Sequence, residues 1–150
     1  MSQPTRYPPD DPREWLNRAR SNLAAARLTK DSEDVYPEDV CFEAQQTVEK
    51  AIKAVLLWKQ LDVPKVHDIA HLLTLMAGCG IDIPARIAPA AGLTDYAVVA
   101  RYPDHGPGLS NEDSEAAIDC AEAVLRWAEQ MIEPRDEEPE AEGVDEGSQE

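Results

Sequence analysis

The stretch Pro37–Gln60, PEDVCFEAQQTVEKAIKAVLLWKQ, decides the fold. After its first residue it runs without Pro or Gly. Wound at 100° per residue, it places Val40, Cys41, Ala44, Val48, Ala51, Ile52, Val55 and Trp58 on one broad apolar face. Such a face is wide enough to be the spine of a helical core. Pro37 suits a first helical turn, and Glu38 and Asp39 sit where the helix dipole favours negative charge. On the other side, Phe42, Gln46, Glu49, Lys53 and Leu57 form a second stripe, apolar at both ends and polar between. That stripe predicts contact with a second chain through Phe42 and Leu57.

Outward from this helix, the chain reads as one all-α domain. Asp10 or Asp11 can cap a helix with Pro12 in its first turn. Trp15, Leu16, Ala19, Leu23 and Ala26 share its inner face, and Arg13, Arg18, Arg20 and Arg27 lie around a rear that reads as solvated. A short helix is expected from about His67 to Ala77, capped by His67, with Ile69, Leu72, Leu73 and Met76 inward and Gly78 and Gly80 as stops. An Ala-rich turn near Ala85–Ala91 should break at Gly92, and Thr94 can cap a helix over Asp95–Tyr102. Ser110 to Asp113 forms a capping-box-like start to a last helix ending near Ile132. Its inner face holds Ala116, Ala117, Cys120, Val124, Trp127, Ala128 and Met131, and Ile118, Ala121, Leu125 and Ile132 widen it. The expected architecture is an antiparallel up-and-down bundle of four main helices plus one or two short ones. Residues 1–9 are read as a flexible N-terminal segment, 10–132 as the bundle, and 133–150 as a disordered acidic tail.

Bulk numbers narrow the function. The net charge is −16, and a negative field repels phosphate backbones, which disfavours generic DNA binding. Residues 133–150 hold nine Asp and Glu against one Arg, −8 of that total, so a local basic patch is still allowed. No window approaches the ~20 apolar residues of a membrane span, and the start, MSQPTRYPPDD, does not read as a secretory signal. Cys41, Cys79 and Cys120 are odd in number and far apart. They read as three reduced core thiols of a cytoplasmic protein, not as disulfides or ligands.

Three pieces carry a family resemblance. Phe42-Glu-Ala-Gln-Gln-Thr-Val-Glu-Lys-Ala-Ile-Lys-Ala-Val-Leu56 resembles the signature helix of the HEPN domain, named for higher eukaryotes and prokaryotes nucleotide-binding. His67-Asp68-Ile69 with Leu72-Leu73 resembles that family's H-D-L-x-x-L-L, and Arg101-Tyr102-Pro103-Asp104 resembles its R-Y-P-D. The resemblance covers most of residues 12–132. It implies a small prokaryotic helical module that partners a minimal nucleotidyltransferase and binds a nucleotide. The ligand or partner residues would be Gln46, Glu49, Lys53, Tyr102 and Asp104, lining a groove near Arg101.

Two alternatives stand beside that reading. The first is a metal-independent endoribonuclease, the toxin of a toxin–antitoxin pair. Its catalytic residues would be Arg101, whose fork matches phosphate, and His105, which can move a proton near neutral pH. Ribonucleases of the family carry R-x(4–6)-H; here three residues separate Arg101 from His105, and Pro107 stands where a Tyr is common. The second is an oligomeric scaffold. No cofactor is expected. His67 and His71 have metal-ligand spacing, but H-D-I-A-H is not H-E-x-x-H, and no metal is assigned. A homodimer is expected, because the Phe42–Leu57 stripe and the wide face of the last helix ask for another chain or a fifth helix.

Overall fold

The computed structural model describes residues 3–94 and 108–134. Among these, four α-helices and one 3-10 helix make up the fold, with no strand: α1 Pro12–Thr29, α2 Pro37–Trp58, α3 Ile69–Gly78, the 3-10 helix Ala88–Leu93, and α4 Asn111–Ile132. The all-helical bundle expected from the sequence is what the chain forms.

Helix starts follow the sequence signals closely. Asp11 caps α1 by accepting from the Arg13 amide, with Pro12 in the first turn. α4 opens with a full capping box. The Ser110 hydroxyl accepts from Asp113 N at 3.1 Å, and Asp113 Oδ2 accepts from Ser110 N at 2.8 Å. Removing this cap has a measurable cost. Ser110→Ala is expected to lower unfolding free energy by about 1 kcal/mol, read as a lower urea midpoint at an unchanged slope. α3 starts later than expected. Asp68, not His67, is its N-cap, accepting from Ala70 N at 3.0 Å.

Helix ends are less legible. α2 and α3 close on the same six-residue motif. In α2 the amide of Leu61 returns to Leu56 O and that of Gln60 to Leu57 O, both 2.9 Å, with Gln60 at φ 62°. In α3 the amide of Ile81 returns to Met76 O and that of Gly80 to Ala77 O, both 3.0 Å, with Gly80 at φ 86°. Glycine takes this left-handed position freely; Gln60 does so against steric preference. Gly80 is therefore the stop, whereas Gly78 lies inside α3. Gly92 likewise does not break the Ala-rich stretch; it is part of the 3-10 helix.

The core is built on α2. It packs most extensively against α1 and then α4, while α3 sits on the 3-10 helix and on α2. Alanines line the contacts: Ala19, Ala26, Ala44, Ala51, Ala121 and Ala128 are fully buried. Small side chains let helix axes approach closely, and the larger Leu16, Ile52, Leu56, Ile69, Leu72 and Met76 fill the space between them. Two expected core residues are on the surface. Trp58, the last residue of α2, is 39% exposed, with the Lys59 ammonium over its ring. Ala116, in the first turns of α4, is exposed.

The basic rear of α1 is not simply solvated. Arg20 reaches Glu129 at 2.7 Å and Glu133 at 2.9 Å, Arg27 reaches Glu122 at 2.9 Å, and Lys30 reaches Glu115 at 3.5 Å. These partners descend along α4 as α1 ascends, so the two helices are antiparallel. At the opposite corner, Leu109 N donates to Glu38 Oε2, bringing the N-termini of α2 and α4 together. The N-terminal segment, expected to be loose, is tied to α1. Tyr7 N donates to Glu14, Asn17 to Thr5 O, and the Trp15 indole to Pro9 O, while Arg13 stacks over the Tyr7 ring.

Candidate functional site

The polar stripe of α2 becomes a buried column. Gln45, Glu49 and Lys53 are spaced i, i+4, i+8, so they stack along one side of the helix. Glu49 is 4% and Lys53 5% exposed, and Gln45 is also buried. Glu49 is the hub. Gln45 Nε2 donates to its Oε1 at 3.2 Å, and Lys53 Nζ donates to its Oε2 at 2.9 Å. Gln46, half-buried, joins through its own Nε2, which donates to Gln45 Oε1 at 2.9 Å. Lys53 and Glu49 form an i,i+4 ion pair that lies inside the fold and not on a solvated face. A buried charge is tolerated only when paired and hydrogen-bonded, and this one has both.

The column reaches solvent through His67. Nδ1 of His67 lies 2.7 Å from Glu49 Oε2, and the His67 side chain is 77% exposed. Burial pushes the Glu49 carboxyl up; hydrogen bonds from His67 and Lys53 outweigh that and hold it below its ordinary value. An ionised carboxylate can only accept, so Nδ1 carries the proton and the outward edge of the ring presents Nε2. Little in the sequence signals this pairing. Glu49 and His67 are 18 positions apart, and the contact depends on how the chain turns between α2 and α3. The one available hint is a histidine placed directly before a helix cap.

The remaining predicted residues divide in two. Phe42 and Leu57, at the two ends of the stripe, are half-buried. The middle of the stripe is covered without a second chain, so these two ends are what it leaves as contact candidates. Arg101, Tyr102, Asp104 and His105 lie outside the described residues, as does the helix expected over Asp95–Tyr102. The flanks of that stretch are fixed: Thr94 Oγ1 accepts from Ile69 N at 2.9 Å, and Leu109 is held by Glu38. His71 is exposed on α3, and no group of three or more metal-ligating side chains occurs among the described residues.

Neighbouring polar groups serve packing. Lys50 Nζ donates to Asn22 Oδ1 at 2.9 Å, and Asn22 in turn donates to Glu43, stitching α1 to α2. Burial lowers the Lys50 ammonium below its usual range. A cleft of about 310 Å³ lies between the N-terminal segment and α1, lined by Thr5, Arg6, Glu14, Asn17 and Arg18 among others. It contains no residue of the Glu49 column, whose chemistry is the more specific signal.

The HEPN domain model matches residues 12–131. Among solved structures, TT1696 from Thermus thermophilus superposes with a TM-score of 0.70 at 32% identity, over 79% of this chain and 96% of that one. An archaeal HEPN homologue superposes with a TM-score of 0.67 at 30% identity, over 82% of this chain and 98% of that one. No curated protein matches the chain significantly.

Proposed function

The chain belongs to the HEPN family, and we propose that it is a helical interaction module. It receives a minimal nucleotidyltransferase and a nucleotide on the polar side of α2. The observation that supports this is the Gln45–Glu49–Lys53 column, a buried ionic array that meets solvent at one exposed imidazole. A core built for stability alone is served as well by apolar residues of similar volume. In this reading half-buried Gln46 offers the ligand side directly, Glu49 and Lys53 support it from within the fold, and Arg101, Tyr102 and Asp104 are assigned to the same side by the family resemblance. The module acts as a cytoplasmic homodimer through Phe42 and Leu57. No helix among the described residues is long and apolar enough to cross a membrane.

The test mixes the purified chain with a minimal nucleotidyltransferase from the same genome, with and without ATP, and reads mass by light scattering. A dimer that shifts to a heteromer is the expected result, and Phe42→Glu with Leu57→Glu should reduce the chain alone to monomer mass. An unshifted mass, together with RNA cleavage in EDTA that Arg101→Ala and His105→Ala abolish, would replace this reading with the endoribonuclease.

A further inference from the structure

We propose that His67 is a phosphoryl acceptor, with Nε2 as the nucleophile and Glu49 as the group that prepares it. The pair has the geometry that this chemistry needs. A buried carboxylate 2.7 Å from Nδ1 makes that nitrogen the donor, so in the neutral ring the lone pair is on Nε2. The His67 side chain is 77% exposed while that of Glu49 is 6% exposed, so an electrophile reaches the imidazole and not its partner. Lys53 and Gln45 hold Glu49 in place from within α2. This orienter–nucleophile arrangement matches the general logic by which a third group readies a reactive side chain.

The step balances without a metal or an oxidant. With a donor of the phosphoramidate class, the Nε2 lone pair forms an N–P bond as the donor's own P–N bond breaks, and ammonia leaves. The ring becomes a cation carrying a dianionic phosphoryl group, so net charge is conserved. The positive charge develops beside the Glu49 carboxylate, where it is stabilised. The new dianion stands one residue before the cap of α3, a ten-residue helix whose N-terminal end favours negative charge. The acceptor role concerns the chain alone. It is therefore tested without the nucleotidyltransferase and stands or falls separately from the partner reading.

The experiment incubates the intact protein with potassium phosphoramidate at neutral pH and follows acid-labile phosphate by 31P NMR, with sites assigned by tandem mass spectrometry. The chain has three histidines, and two of them are internal controls. His67 is expected to be labelled first, and Glu49→Gln should slow it about tenfold or more, while His71→Gln leaves it unchanged. Circular dichroism shows whether Glu49→Gln stays folded; if it does not, the ranking of the three histidines in the wild-type chain decides. Labelling of His71 or His105 at the rate of His67, or no labelling, overturns the proposal.

Discussion

Glu49→Ala is expected to lower the unfolding free energy by roughly 3–5 kcal/mol, the usual cost of removing one partner of a buried ion pair. The reason is what stays behind. Lys53 is 5% exposed and its ammonium meets the Glu49 carboxylate; without that carboxylate it is a buried charge in an apolar helix packing. The reverse change should be milder. After Lys53→Met, Glu49 still accepts from Gln45 and His67, so part of its charge is still compensated. The double variant Glu49→Leu with Lys53→Met should recover most of the loss, because apolar residues of similar volume replace buried ion pairs at little cost. Equilibrium urea unfolding of the three variants measures this coupling directly. Additive losses would show that the column is not a unit.

The same carboxylate sets a pH dependence. Glu49 is held below its ordinary value of 4.5 in the folded chain. Its contribution is therefore present above pH 4.5 and is lost as pH falls through the lower folded value. Acid unfolding of the wild type should weaken when Glu49 and Lys53 are both replaced by apolar residues.

Ile52→Ala should cost about 2–5 kcal/mol for a different reason. Ile52 is fully buried in the helix that packs on both α1 and α4. The alanines around that helix already bring the backbones close. The neighbours therefore have little room to collapse into the space left by the missing carbons, and a cavity remains. Leu28→Ala is the control. Leu28 is 83% exposed on α1, and its truncation should stay within about 0.5 kcal/mol of wild type. A small effect at Ile52 in urea unfolding would mean the bundle relaxes around the void.

These two predictions mark what is and is not readable in the sequence. Ile52 and its neighbours are legible because helical periodicity places them together whatever the rest of the chain does. Asp11 and Ser110 are legible because caps are local chemistry. The exposed Trp58 is not: it follows the core period, but α2 ends there, and a period says nothing about where packing stops. The expected cap of α3 is off by one residue: Asp68 turns its side chain to the helix, while His67 goes to Glu49. Glu49 itself reads as part of the polar middle of the second stripe of α2. Its burial depends on the segments that fold over α2, which no window of sequence around it contains. Family resemblance finds the helix that carries the site, and the three-dimensional geometry then finds the partner that opens it to solvent.

The cysteines give the chain a built-in handle. Burial pushes the Cys41 thiol up to about 12 and raises that of Cys120, so neither is a ready thiolate at neutral pH. Cys79 is exposed at the end of α3, the helix whose other end follows His67. A maleimide fluorophore added to the unaltered protein therefore goes first to Cys79, the exposed thiol. Its colour and anisotropy would report on α3 while phosphate, nucleotide or a partner protein is added, with no residue changed to make the observation.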